Sequence, residues 1–253
     1  MTASERPVAL VTGGARRVGL AIVRQLAARG YRVAIHANTS RAEAEQVAAE
    51  LQSAGTDAIA VAADLRDERA VRQMIDHAHE HFGRLDALVN SAAIWISKPL
   101  EHVTADDVRQ HFEINTLGTF LCCQHAGLLM TRQSGGGAIV NLADWAIARP
   151  YLDYAAYFSS KGAIPALTRD FAVELARRNP NVRVNAVLPG PVMLPVEMPE
   201  EERQAVIRGT LVQREGKPEN VATAVLFLLE NDFVTGVCLP VDGGRSIFGG
   251  FDL

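Results

Sequence analysis

Seven short apolar runs, several of them rich in β-branched residues, recur along the chain at 8–12, 32–37, 58–64, 87–91, 138–143, 182–188 and 237–241. Between them lie stretches whose apolar positions return every three or four residues: 17–29, 41–51, a segment ending near 82, 104–130, the segment around Lys161, 200–208 and 218–230. The first pattern is that of a buried strand and the second that of a helix with one face on a core. Their alternation predicts a Rossmann-type, doubly wound α/β fold, a seven-stranded parallel sheet with helices on both faces. Right-handed crossovers then place ligands at the carboxyl ends of the strands. No Pro/Ser-rich linker or break in composition divides the chain, so one domain over residues 1–253 is expected. The helices at 104–130 and around Lys161 are apolar on more than one face, as helices are that pack on both a sheet and a partner. A homo-oligomer follows, a homotetramer being expected and a dimer the alternative.

Composition narrows the class. A chain of 253 residues, 48% hydrophobic and 21% charged, can bury a substantial core. A net charge of −4 leaves no basic footprint for nucleic acid or an anionic membrane. The opening M-T-A-S-E-R-P has no apolar signal core, and no apolar run is long enough to span a bilayer. Cys122, Cys123 and Cys238 form an odd set with no zinc-like spacing. The expectation is a cytoplasmic, metal-free enzyme or binding protein.

Candidate chemistry begins with Tyr157 and Lys161, four apart and therefore on one helix face. An ammonium beside a phenol favours phenolate, so Lys161 is expected to pull Tyr157 below its usual value of about 10. A tuned Tyr serves as general acid or base. Asp144 stands thirteen residues earlier, just past a strand.

The turn T-G-G-A-R-R-V-G at 12–19 joins the first strand to the first helix. Gly13 and Gly19 let backbone amides approach a pyrophosphate, and the helix N-terminus favours the anion. Arg17 replaces a glycine that dinucleotide folds normally use, beside Arg16. The second strand ends in H-A-N-T-S-R at 36–41, with no acid for a ribose diol. Thr39 and Ser40, with Arg16 and Arg41 nearby, suit a 2′-phosphate, which points to NADP(H). Asp64 and Leu65 would flank an adenine, and Asn90 ends the fourth strand.

Together these pieces resemble the short-chain dehydrogenase/reductase family over nearly the whole chain, through T-G-x-x-x-x-x-G at 12–19, Asp64-Leu65, N-S-A-A at 90–93, Asn115, Y-x-x-x-K at 157–161, Pro189-Gly190 and V-D-G-G at 241–244. The resemblance implies that Tyr157 donates the proton, that Lys161 holds ribose hydroxyls and lowers the Tyr157 pKa, and that Asn115 supports a water chain. It also places Pro189 and Gly190 against the cofactor. Two departures, Asp144 for the usual Ser and Arg17 for the usual Gly, resemble the pteridine reductase branch, whose triad is Asp-Tyr-Lys. Trp95 falls where that branch stacks an aromatic on the pterin. The implied activity is NADPH-dependent reduction of oxidised pteridines of the dihydrobiopterin, dihydromonapterin or dihydrofolate kind, with Arg17, Trp95, Asp144 and Tyr157 on the substrate. The alternatives are a general carbonyl or enone reductase and, further off, a dinucleotide-sensing protein without catalysis. Ala93 and Pro191-Val192 depart from the branch's more polar pattern. Pro165, four residues after Lys161, takes away the amide that would meet the Lys161 carbonyl, and a kink is expected there.

Overall fold

A computed structural model describes residues 6–248; residues 1–5, which open the segment read above for a leader, lie outside them. The strands are β1 (Val8–Thr12), β2 (Arg32–Ala37), β3 (Ala58–Ala62), β4 (Ala87–Asn90), β5 (Gly137–Leu142), β6 (Val182–Pro189) and β7 (Cys238–Val241). The helices are α1 (Arg17–Ala28), α2 (Arg41–Ser53), α3 (Glu68–Phe82), α4 (Ala105–His111), α5 (Gly118–Met130), α6 (Ala155–Gly162), α7 (Ile164–Ala176), α8 (Glu200–Arg208) and α9 (Pro218–Glu230). The sheet order is β3-β2-β1-β4-β5-β6-β7, and every neighbouring pair is parallel. Strand order reverses between β1 and β4, which opens a crevice at their carboxyl ends.

The sheet is covered on both faces, and this is why its strands read as unbroken apolar runs. Along β1, Ala9 and Val11 enter one core with α1, α2 and α9, while Val8 and Leu10 enter the other with α3, α5 and α7. In β5, Ala138, Val140 and Leu142 take the first side and Ile139 the second. Register sets Thr12 beside Asn90 and Asn90 beside Asn141, so three polar side chains stand level at the carboxyl ends of the central strands.

Two helical expectations change. The stretch 104–130 is not one α-helix: α4 and α5 are joined by a π-helical turn over Phe112–Leu117 that contains Asn115. Pro165 does more than kink a helix. It lies in the first turn of α7, and the helix is interrupted at Ala163, whose amide N–H points at the Lys161 carbonyl. Among the described residues no helix is long and apolar enough to cross a membrane.

The first βα turn is closed by backbone contact. A methyl group on Gly19 would stand 2.1 Å from the Gly13 carbonyl oxygen, and one on Gly13, whose φ is 63°, would stand 2.8 Å from Ala92 Cα. Neither neighbour is a side chain that can swing away. Gly19→Ala is therefore expected to destabilise the fold by on the order of 3 kcal/mol and to abolish nucleotide binding, as read by urea unfolding and by NADPH fluorescence titration.

Candidate active site

Asp144 follows β5 in extended conformation and starts a short 3₁₀ turn, Trp145–Ile147, its Oδ1 accepting from the Ala146 amide at 2.8 Å. That bond fixes the carboxyl's orientation, so Oδ2 meets the Tyr157 hydroxyl, which donates to it at 2.8 Å. Tyr157 sits in the first turn of α6, and Lys161 lies one turn further on. Lys161 is 3% exposed and its Nζ donates to the Leu142 carbonyl at the end of β5, at 2.6 Å. Lys161 thus holds α6 against β5 two residues before Asp144.

These contacts reverse one electrostatic expectation. Burial, and then the neighbouring Asp144 carboxyl, raise the Tyr157 phenol well above its ordinary value. Ionising it would set two negative charges side by side in a dry site. Burial also raises Asp144, against the hydrogen bonds from Ala146 and Tyr157 and the charge of Lys161, which lower it. Lys161 itself is lowered to about 8 by burial. Each of the two groups is thereby shifted toward its protonated form, and they titrate as a coupled pair.

Asn115 is fully buried in the π-helical turn. Its Oδ1 accepts from Ile94 N–H at 2.8 Å, and its Nδ2 donates to the Ile94 carbonyl and to Ser160 Oγ, both at 3.0 Å. Ser160 Oγ in turn donates to the Tyr157 carbonyl at 2.7 Å. The Asn115 side chain is thus spent on tying the loop after β4 to α6.

At the first turn, the Gly13 amide donates to His36 Nδ1 at 3.2 Å, while His36 Nε2 meets the Ala63 carbonyl at 3.0 Å. Nδ1 must accept, so Nε2 carries the proton and the ring is neutral. Burial lowers the His36 pKa accordingly. Thr12 Oγ1 accepts from the Ser91 and Ala92 amides at 3.0 and 3.1 Å. The N-terminus of α1 has no side-chain cap and no acid in its first turn, so its amides stay free to take an anion. This uncapped, sterically tight turn fits a dinucleotide diphosphate. Arg17 adopts φ 52°, a left-handed backbone that glycine takes without strain, and its Nη2 donates to the Met193 carbonyl at 3.3 Å.

The residues assigned to the adenosine end fare unevenly. Thr39 is exposed and Ser40 half-buried. The nearby guanidiniums are already faced by carboxylates, Arg16 by Glu43 and Arg41 by Glu45 at 2.9 Å. A 2′-phosphate would compete with these acids for them. Asp64 is paired with Arg66 at 2.6 Å. The Leu65 side chain is 5% exposed and packs in the core beside Gly118, so it cannot flank a base as expected. Asn90 Nδ2 donates to Asn141 Oδ1 at 2.9 Å, and its Oδ1 is buried without a partner among the described residues. At the end of β6 beyond Pro189, the Gly190 amide donates to the Val241 carbonyl at 2.9 Å, and a methyl there would stand 2.4 Å from Asp242 Cα.

On the substrate side, Trp95 is 44% exposed and stacks on Tyr154, with ring centroids 4.9 Å apart and planes at 11°. Tyr154 also meets Tyr151, Tyr157 and Phe158 edge-on, which builds an aromatic wall around the Asp144–Tyr157 pair. Sequence reasoning assigned no role to His36, Ser160, Tyr151, Tyr154 or Met193. Tyr151 and Tyr154 could have been found, since they flank the Tyr157 motif. His36 and Met193 gave no signal, because only the folded chain brings them to Gly13 and Arg17.

Residues 13–246 match the family model described as enoyl-(acyl carrier protein) reductase. The chain is 34% identical to the 3-oxoacyl-[acyl-carrier-protein] reductase of Synechocystis sp., over 98% of this chain and all of that one. It is 36% identical to the uncharacterized oxidoreductase YgfF of Escherichia coli K12, over 94% and 99% of the two chains. A blue fluorescent protein from a metagenomic library, solved in complex with NADPH, superposes with a TM-score of 0.86 at 34% identity, over 94% of this chain and 97% of that one.

The reversed phenol electrostatics can be read directly. In Asp144→Asn, Tyr157 should ionise at lower pH than in the wild type, because the neighbouring negative charge is gone. Isotope-labelled tyrosine resonances followed through a pH titration check this; an unchanged or raised midpoint contradicts it.

Proposed function

The chain belongs to the short-chain dehydrogenase/reductase family, and we propose that it is a single-domain, NADPH-dependent reductase of oxidised pteridines. The observation that carries this reading is the hydrogen bond from Tyr157 to a half-buried carboxyl, Asp144, in place of a hydroxyl donor. A ketone offers only an oxygen that must receive a hydrogen bond. A pterin offers an amino group that donates and a ring nitrogen that must be protonated. A carboxyl raised by burial does both, accepting from the amino group and relaying a proton from Tyr157. Arg17 supports the same reading, since its left-handed backbone costs on the order of 1 kcal/mol that a glycine would avoid. The guanidinium is then what is retained, between the diphosphate turn and the ring.

NADP(H) is the cofactor, and when bound it supplies the hydride. The amides of the first turn of α1 would hold its diphosphate, which passes close to Gly13. Arg16, Thr39, Ser40 and Arg41 would hold the 2′-phosphate, and Asp64 with the backbone at Leu65 would border the adenine. Asn90, Pro189 and Gly190 would border the nicotinamide end, and Lys161 the ribose hydroxyls. The neutral His36 imidazole keeps the Gly13 turn in place. Lys161, with a pKa of about 8, loses and regains a proton near neutral pH and can recharge the Tyr157–Asp144 pair. Asn115 and Ser160 keep α6, and so the phenol, in position. Trp95, backed by Tyr154, presents a flat apolar face to a planar ring.

The second reading is a ketone reductase, favoured by the Synechocystis relative named as a 3-oxoacyl reductase. There a protonated Asp144 would stand in for the hydroxyl and donate to the substrate oxygen. Exposed Phe112, Leu117, Phe120 and Val173, joined through the edge contact of Phe120 with Phe171, support a homotetramer of this chain.

NADPH oxidation decides between the two enzymes: turnover of dihydrobiopterin or dihydrofolate is expected to exceed that of an acetoacetyl ester. Tyr157→Phe should cut turnover by roughly 10²–10⁴, and Asp144→Ser should lose pteridine turnover while gaining on the ketone. Good ketone turnover with none on any pteridine would replace the first reading by the second. Light scattering is expected to give the mass of four chains, and Phe120→Glu a smaller species.

A further inference from the structure

Five arginines are buried or half-buried among the described residues: Arg32, Arg84, Arg183, Arg203 and Arg245. Arg84 and Arg203 are paired with Asp86 and Glu215. Among the described residues Arg32 and Arg183 meet no carboxylate but make three hydrogen bonds each to main-chain carbonyls. Arg245 meets no carboxylate among them and a single carbonyl. Its guanidinium lies over the Trp145 ring, Cζ 4.9 Å from the centroid, and among the described residues only Nη1 is engaged, donating to the Val206 carbonyl in the last turn of α8.

A second cation stands beside it. Arg149 Nη1 donates to the carbonyls of Arg245, at 3.1 Å, and Phe248, and among the described residues it too meets no carboxylate. Burial and the charge of Arg149 both lower the Arg245 pKa, while Tyr151 and Asp242 raise it. Among the described residues Asp242 makes no ion pair with either guanidinium, and its two oxygens accept from the Gly244 and Ser246 amides. Capping α8 would need one cation, not two whose charges repel. Two half-used guanidiniums side by side have the donor set of a carboxylate or phosphate site.

Its position ties the pair to the reacting end. Trp145, under Arg245, follows Asp144 directly. The Tyr151 phenol feels both the Asp144 carboxyl and the Arg245 guanidinium, and it packs edge-on against Tyr154 and Phe158 in the aromatic wall. Arg149 is exposed, so the pair opens to solvent at the rim.

We propose that Arg149 and Arg245 form an anion subsite at the rim of the substrate pocket, and that the substrate is a planar ring carrying an anionic tail, a carboxylate or a phosphate. The inference rests on Asp144 and Tyr157 being the reacting end. Kinetics with dihydrobiopterin (neutral), dihydrofolate (carboxylates) and dihydroneopterin phosphate test it and separate the two tail chemistries. In Arg149→Gln and Arg245→Met, KM for the anionic substrate should rise about tenfold or more, as expected for a lost charge-assisted hydrogen bond. Turnover at saturation should hold, and dihydrobiopterin should be unaffected. Equal effects on neutral and anionic substrates, or none on either, would overturn the subsite. Arg149 is exposed, so its variant reports even where Arg245→Met loosens α8. Calorimetric titration of p-aminobenzoyl-glutamate into the NADPH-loaded enzyme provides an arm independent of turnover. If no pteridine reacts yet this tail binds and both variants lose it, the pteridine reading falls and the subsite stands; if the tail does not bind the wild type, the subsite falls.

Discussion

A parallel sheet ends in a row of amides and carbonyls that no further strand pairs, and a buried polar group left unpaired costs about as much as a lost hydrogen bond. Much of the site consists of side chains that meet this demand. Thr12 takes the Ser91 and Ala92 amides, His36 the Gly13 amide, Lys161 the Leu142 carbonyl, Asn115 both polar groups of Ile94 and Asp144 the Ala146 amide. Each is held in one orientation by a backbone group that would otherwise be orphaned. The reacting groups are those that keep a titratable atom free after paying this debt. Asp144 has Oδ2 to spare for Tyr157, whereas Asn115 has nothing left.

The same burial that orients the site weakens the fold at neutral pH. Lys161 is lowered to about 8, so between that value and its ordinary value of 10.5 the unfolded chain binds a proton that the folded chain does not. Stability from this group therefore rises with pH across that window and is missing below it. Asp144 is raised, so its contribution is present below its ordinary value of 3.8 and is lost as pH climbs through its folded value. At pH 7 both act against folding, as does the left-handed backbone at Arg17. Destabilising features gathered at one end of a well-packed sheet mark a place kept for something other than stability.

What the sequence could reveal follows from range. The strands were legible because burial on both faces is a local pattern, and β1 to β7 fall within two residues of the expected runs. The π-helical turn at Phe112–Leu117 was not legible, because one extra residue per turn hardly disturbs the apolar pattern on either side. Tyr157, Lys161 and Asp144 were found by spacing, but the sign of the Tyr157 shift was not. Spacing places Lys161 one turn from Tyr157, and only the folded chain shows its ammonium going to Leu142 and the phenol to Asp144. The same limit applies to Arg16 and Arg41, whose acidic partners are a matter of rotamer and packing, and to Leu65, which faces the core.

Arginine pairing extends the argument from the reacting atoms to the far end of the substrate. Arg84 and Arg203 show how a half-buried guanidinium is ordinarily neutralised in this fold, and Arg32 and Arg183 how carbonyls suffice instead. Arg245 departs from both solutions only a short way from Asp144, a carboxyl that itself meets a phenol rather than a cation. The Arg245 guanidinium lies over Trp145, the residue after Asp144, and the Tyr151 phenol feels both charges. The two polar ends are thus joined by an aromatic wall. That wall suits a ligand with a flat middle, a hydrogen-bonding head and a charged tail.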